Sequence, residues 1–317
     1  MIEIKNLVKR YGQINAVDDI SFTVPDGEIL GFLGPNGAGK STTMNMITGY
    51  LPPTAGTVLV EGYDIMEKPK EVKRRIGYLP ELPPLYGDMT VGEYLEFICE
   101  LKDVDKKIRR SQLDDIMYLV KIGDMKGRLV KNLSKGYRQR VGFAEAMVGN
   151  PKIMILDEPT IGLDPKQIVE IRKLIAALGK EHTVILSTHI LSEVSAVCSS
   201  VVIINKGKIA ASGNVADFAG TGTGKVTSFH ITIAGPKAEC SNILRQVRGV
   251  KNAELLRTSG ELSMFKVESR TDTDVRKEVF KALADAGYPI MEIRADSKTL
   301  EETFIEITSK DNAERGI

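Results

Sequence analysis

The stretch GPNGAGKST, Gly34 to Thr42, carries the pattern G-x-x-x-x-G-K-S, with Gly34, Gly39, Lys40 and Ser41 in its fixed places. Glycines let the backbone curl so that successive N–H groups point inward at an anion. In such a loop the lysine reaches the β and γ phosphates of a nucleotide and the serine hydroxyl ligates Mg²⁺. The whole run of Gly34, Pro35, Asn36, Gly37, Ala38, Gly39, Lys40, Ser41 and Thr42 is therefore a candidate phosphate cradle. Its flanks agree. EILGFL (Glu28 to Leu33) is a short apolar run that predicts a buried strand. Behind it, Thr42 to Gly49 carries Met44, Met46 and Ile47 and can open a helix whose positive end faces the anion. Strand, glycine loop and helix stand in the required order, but many unrelated machines share that order.

Composition narrows the field. The chain has 317 residues, enough for roughly two domains. Its 43 Lys and Arg face 42 Asp and Glu, a balance that gives no support to a nucleic-acid-binding surface. Cys99, Cys198 and Cys240 are far apart and form no CxxC pair, which suits buried thiols in a reducing compartment. MIEIKNLVKRYG lacks a signal-peptide core, and no apolar run approaches the ~18 residues that cross a bilayer. The expectation is a cytoplasmic chain whose membrane work goes through a partner.

Along the chain, residues 1 to about 27 alternate like strands, through Ile2 and Ile4 and then Ile20, Phe22 and Val24. TVLVEG (Thr57 to Gly62) predicts a further strand. From Thr90 the period turns helical: Thr90 and Glu93 fit a capping box, and Val91, Tyr94, Leu95, Ile98 and Leu101 share a face. Leu113, Ile116, Met117 and Val120 continue it, so residues of about 90–148 form a helical insert. Apolar runs and helices then alternate again through KIMILDEP, Ile168 to Leu178 and TVILSTH, the rhythm of a parallel sheet with crossover helices. The first domain spans 1–218, and AGTGTGK within 219–225 reads as a linker. Residues 226–317 restart as β-α-β-β-α-β, a ferredoxin-like module closed by a short helix from Thr299. Ser263, Phe265 and Val267 are expected to put apolar surface on the sheet face its helices leave open.

The chemistry lies downstream of the loop. KIMILDEP can deliver Asp157 beside the phosphates to hold Mg²⁺, and Glu158 can face the γ-phosphate as general base toward water. His189, ending ILSTH, can contact the γ-phosphate; His182 and His230 sit at no strand end. In LSKGYRQR (Leu133 to Arg140), Ser134 is a good N-cap for a helix burying Tyr137, Val141, Ala144 and Val148. Gly136 permits close approach to its amino end, a second anion site. One nucleotide already has a complete phosphate loop, and a symmetric dimer accounts for the second site. The Ser134 end of one subunit would close over a nucleotide held by the other's Lys40 loop.

In that order the motifs resemble the ATP-binding subunit of an ABC transporter over residues 1 to about 215. GPNGAGKST matches its Walker A, ILDE its Walker B, LSKGY its signature, GLD (Gly162 to Asp164) its D-loop and His189 its switch histidine. The resemblance implies an α/β P-loop NTPase: a RecA-like core with antiparallel β and helical subdomains, plus the small C-terminal α+β ferredoxin-like domain. It implies ATP and Mg²⁺ as cofactors, Tyr11 stacked on adenine with Val17 beside it, and Ser41, Asp157 and Glu81 at the metal. Ser134, Gly136 and Asp164 would serve nucleotide across the dimer. The implied partners are a second copy or a related ATPase subunit and an integral membrane permease at the cytoplasmic face. Two departures stand out. Lys135 and Tyr137 replace a glycine and the glutamine of the usual LSGGQ. Glu81 stands after YLP where the family has glutamine; it can ligate Mg²⁺ but cannot donate as an amide does. Glu81, the PELPP turn and the appended module look most like ATPases serving ABC-2-type exporters.

The alternative is a soluble ABC-type ATPase working in assembly, translation or DNA repair. The fused halves and long coiled coils of translation and repair types are not in this sequence. A small GTPase would need N-K-x-D, and Lys208 occupies the aspartate position of Asn205 to Lys208. A neighbouring reading frame with about six apolar 20-mers would decide for transport.

Overall fold

The computed structural model describes residues 1–218, 228–270, 274–295, 301–302 and 304–305. They build two compact units, one on Met1–Val215 and one on Ala216–Glu306. In chain order the elements begin with strands β1 (Ile2–Tyr11), β2 (Ile14–Val24) and β3 (Ile29–Leu33), then helix α1 (Lys40–Ile47). Strands β4 (Ala55–Val60) and β5 (Tyr63–Asp64), helix α2 (Pro69–Arg75) and strand β6 (Ile76–Leu79) follow. Next comes a helical block of α3 (Val91–Leu101), α4 (Lys106–Leu119) and α5 (Lys135–Met147). Then β7 (Ile153–Asp157), α6 (Pro165–Leu178), β8 (Thr183–Thr188), α7 (Leu191–Val197), β9 (Ser200–Asn205), β10 (Lys208–Asn214) and α8 (Val215–Phe218) alternate.

The unbroken apolar runs of β3, β7 and β8 become inner strands of a six-stranded sheet ordered β10-β9-β3-β8-β7-β6. All of its neighbours pair in parallel except β10, which is antiparallel to β9. Parallel strands need cover on both faces, and the side chains divide accordingly. Ile153, Ile155 and Ile185 join a core with α1 and the antiparallel sheet β2-β1-β4-β5. Met154, Leu156, Val184 and Leu186 point the other way, into a core with α3, α4, α5 and α6. Register then positions the site. Asp157 lies opposite Ser187, and Leu33 opposite Thr188, so the chain leaves β3, β7 and β8 at one level.

In the helical block Thr90 and Glu93 form the capping box, and Val91, Tyr94, Leu95 and Ile98 are buried. Leu101 departs from expectation at 64% exposed, because α3 ends there and the chain turns away from the apolar face. The next residue, Lys102, donates to the Glu145 and Val148 carbonyls at 2.9 Å each, capping the carboxyl end of α5. Ser134 caps its amino end by accepting from the Tyr137 N–H. The helix whose amino end is the expected second anion site is thereby fixed at both termini.

The second unit runs β11 (Ser228–Ala234), α9 (Lys237–Gln246), β12 (Val250–Ser259), β13 (Leu262–Ser269), α10 (Arg276–Asp285) and β14 (Ile290–Ala295). Its antiparallel sheet is ordered β12-β13-β11-β14, a ferredoxin-like arrangement. Residues 219–225 lie outside the described residues, as does Thr299; Glu301, Glu302, Phe304 and Ile305 are helical. The expectation for β13 is corrected. Ser263, Phe265 and Val267 are buried, with Phe265 opposite Ile231 and Val267 opposite Phe229 in the core under α9 and α10. The other face instead carries Met264, Lys266 and Glu268 beside Thr232, His230 and Ser228. A strand's period of two fixes which residues share a face, but not which face the helices cover.

Candidate functional site

The loop from Gly34 to Thr42 joins β3 to α1, and its geometry needs glycine. Gly37 and Gly39 take φ of +79° and +107°, which L side chains rarely adopt. A Cβ on Gly39 would also lie 2.5 Å from the Ala16 carbonyl oxygen. Lys40 opens α1 and is buried, its Nζ donating to the Gly34 carbonyl at 2.9 Å and the Pro35 carbonyl at 3.3 Å. The same ammonium lies 3.5 Å from Glu158 Oε1. A concentrated positive charge is thus kept from water by oxygens of its own loop and one carboxylate, a fit for phosphate oxygens that could replace them.

Glu158 leaves the end of β7 with φ of +47°, a strained backbone for a non-glycine residue. Its N–H donates to the Ser187 carbonyl at 2.9 Å, and its carboxylate accepts from His189 Nδ1 at 2.9 and 2.8 Å. An ionised carboxylate only accepts, so it pairs with the His189 tautomer that carries a proton on Nδ1. Asp157, one residue back, is buried and accepts from Ser187 Oγ at 2.7 Å and from the Ser41 hydroxyl. Burial pushes its carboxyl above the usual range, while the hydrogen bonds from Ser187 and Ser41 and the Lys40 charge oppose that rise. Ser41 and Asp157 make a hard, oxygen-only pair of the kind Mg²⁺ takes together with phosphate oxygens.

A cleft of about 480 Å³ gathers these groups: Asn36, Gly37, Gly39, Lys40, Ser41, Thr42, Glu81, Glu158 and His189 line it. Ala16 and Ile161 line it too. Neither was legible in the sequence, since each contributes only backbone or apolar surface. Gly34, Pro35, Ala38 and Asp157 stand behind the lining. Tyr11 is half exposed on β1, outside the lining, with Lys9 Nζ 5.4 Å from its ring centre. Val17 does not meet its expectation. It is 0% exposed and packs beneath Gly39, so it supports the loop from within the core.

Ser134, Gly136 and Asp164 form a second cluster in which α5 and α6 start side by side. Asp164 and Gln167 build a capping box on α6. A Cβ on Gly136 would lie 2.6 Å from the Gln167 amide nitrogen, and one on Gly162 would meet Lys135 Nζ. The helix carrying Ser134 and the loop carrying Asp164 therefore touch within one chain. One buried acid was not singled out from the sequence: Glu193, in the first turn of α7, accepts from the Thr160 hydroxyl and from Thr188 Oγ1 at 2.8 Å. Seven residues of α7 give too short a pattern to show which side faces inward.

Comparison with known proteins places similar chains beside this geometry. The ABC transporter family matches residues 17–161. An uncharacterized ABC transporter ATP-binding protein of Bacillus subtilis is 33% identical over 317 residues, covering 99% of this chain and 98% of its own. The bacitracin transport ATP-binding protein of Bacillus licheniformis is 39% identical over 211 residues, 66% of this chain and 68% of its own. Among solved structures, a dimeric ATP-binding cassette in a post-hydrolysis state with ADP and Pi superposes with a TM-score of 0.62 at 26% identity. It covers 68% of this chain and 98% of its own.

Proposed function

This chain belongs to the ATP-binding proteins of ABC transporters, and we propose that it is the hydrolysing motor of one that serves an exporter. Two copies, or one copy and a related subunit, close around two ATP molecules and power a separate membrane permease. The observation that carries this reading is the meeting of Lys40, Glu158 and His189 in one cleft. The bacitracin transport relative supports work in transport. Among the described residues no helix is long and apolar enough to cross a membrane.

In this reading the N–H groups of the 34–42 loop and the Lys40 ammonium hold the phosphates, and Tyr11 stacks on the base. Glu158 takes a proton from the attacking water, and His189, oriented through Nδ1, keeps that carboxylate aimed. Ser41 and Asp157, with Glu81 across the cleft, would hold Mg²⁺. That ion would neutralise charge developing on the phosphate oxygens. Ser134, Gly136 and Asp164 would complete the partner's site. Residues 1–218 carry this work. Residues 226–317, joined through 219–225, act through contact, and β12 offers exposed Leu255 and Leu256 at a sheet edge.

Two experiments test the division of labour. Ser134→Arg is expected to leave ATP binding by the isolated monomer intact and to cut turnover about 100-fold, by blocking the face that closes over the opposite nucleotide. Loss of ATP binding by the monomer would put Ser134 in the pocket of its own chain and sink the dimer geometry. A chain ending near Gly220 is expected to keep ATP binding and basal hydrolysis per subunit, yet to dimerise more weakly or lose stimulation by the permease. A truncated chain that stays folded but no longer binds ATP would show that the C-terminal module builds part of the site.

A further inference from the structure

Glu193 is a carboxylate with 1% exposure, and both of its oxygens are used: Oε1 accepts from the Thr160 hydroxyl and Oε2 from the Thr188 hydroxyl at 2.8 Å. Burying a carboxylate is costly, and a neutral residue would fill the same space more cheaply. What only a carboxylate offers here is an acceptor for two hydroxyls at once. A glutamine has one acceptor oxygen and one donor nitrogen, and Thr188 Oγ1 already accepts the Ile190 N–H at 3.1 Å. Glutamine therefore accepts from only one of the two hydroxyls, and its amide meets the other as a donor, which turns that O–H away from its present acceptor.

The two threonines are not arbitrary points. Thr160 follows Glu158 by two residues, and Thr188 immediately precedes His189. Thr160 leads into Ile161, which lines the cleft, and into the loop that ends at Asp164. The Thr188 carbonyl accepts from the Gly34 N–H at 3.4 Å, at the start of the phosphate loop. The start of the phosphate loop thus bonds Thr188, and Glu193 ties Thr188 to Thr160. Arg172 of α6 donates to Ser192 Oγ at 3.0 Å, anchoring the same turn of α7.

We propose that Glu193 is a positioning residue for hydrolysis. By holding Thr160 and Thr188 together it keeps the strained Glu158 and the His189 imidazole in register, and links the 160–164 loop to that pair. It does not line the cleft. The inference rests on the ATPase reading for its kinetic effect, and on geometry alone for its effect on His189.

The test uses the full chain in wild-type, Glu193→Gln, Glu193→Ala and Thr160→Val/Thr188→Val forms, with Thr160→Ser as the rescue. The Gln variant is expected to lose about 10-fold in kcat, and the Ala and double Val variants about 10- to 100-fold, with KM and ATP affinity near wild type. Thr160→Ser, which keeps the hydroxyl, should hydrolyse ATP as wild type does. Adding Glu193→Ala to the double Val variant should cost nothing further, because the link is already cut. A second readout needs no turnover. The chain has three histidines, and the Nδ1–H resonance of His189 should shift in the Gln and Ala variants. His182, whose Nδ1 lies 2.7 Å from the Pro151 carbonyl oxygen, should not change. A folded Gln variant with wild-type kcat and an unmoved His189 resonance would overturn the proposal. So would kcat and ATP affinity falling together. Should Glu193→Ala fail to fold, the Gln and double Val variants decide. A wild-type chain that hydrolyses no ATP would defeat the ATPase reading itself, while the histidine resonances would still report on the link.

Discussion

Glu158→Gln is expected to bind ATP as the wild type does and to hydrolyse it about 10²- to 10⁴-fold more slowly. The reason lies in what the substitution keeps. Glutamine has the same length and can hold the same left-handed backbone at φ of +47°. Its carbonyl oxygen can still accept from His189 Nδ1, so the cleft retains its shape. What disappears is a basic oxygen able to take a proton from water. In the proposed dimer the shared site closes around ATP and reopens after hydrolysis, so a variant stalled before hydrolysis should accumulate as a dimer with ATP and run as a monomer without it. Light scattering at saturating ATP and Mg²⁺ reads this directly. A Gln variant that stays monomeric there would remove the support for a shared site, and one with wild-type turnover would show that another group is the base.

Lys40→Met should abolish ATP binding at ordinary concentrations. The ammonium is buried, and its nearest oxygens are the Gly34 and Pro35 carbonyls and Glu158. Removing a buried, hydrogen-bonded charge partner costs about 2–5 kcal/mol, on the order of 30- to 5,000-fold in Kd. Two effects add here. The phosphates lose their cation, and Glu158 is left as a buried carboxylate without the neighbouring charge, so anion repulsion grows. Methionine keeps the aliphatic stem and so tests charge more than packing. Equilibrium binding of a fluorescent ATP analogue measures the loss. Affinity within a few-fold of wild type would mean that the phosphates sit elsewhere.

The nucleotide cleft was largely readable because its signals are local. Nine consecutive residues announce the loop through Gly34, Gly39, Lys40 and Ser41. Glu158 and His189 could be named because each follows an apolar run that had to be an inner strand, which sends the next residue to the sheet's carboxyl edge. Where reading failed, long-range packing decided. The resemblance put Val17 beside the adenine, yet β2 turns it under Gly39, a neighbour set by tertiary contact. Leu101 fits the helical period and still lies in solvent, because periodicity does not say where a helix stops being covered. Phe265 and Val267 were correctly grouped on one face, and the face was the wrong one. Glu193 left no trace because acids at helix starts are ordinary, and its meaning comes from threonines 33 and 5 residues away.

The sheet order also governs when, during synthesis, the protein first becomes able to work. β3 carries the phosphate loop at its end, but its two neighbours are β8 and β9. β3 ends at Leu33 and β8 opens at Thr183, so on a ribosome adding about 5–20 residues per second the strand waits on the order of 10–30 s for its first neighbour. Through that interval an apolar segment, ILGFL, has no partner strand on either side. Nascent chains stopped before Thr183 should therefore bind holding chaperones and fail to bind nucleotide, however complete their Walker motifs. Competence should arrive abruptly once β9 has left the exit tunnel. Translational pausing or rare codons within the helical block would lengthen that exposure, whereas the same pauses after Asn205 would cost the ATPase unit little.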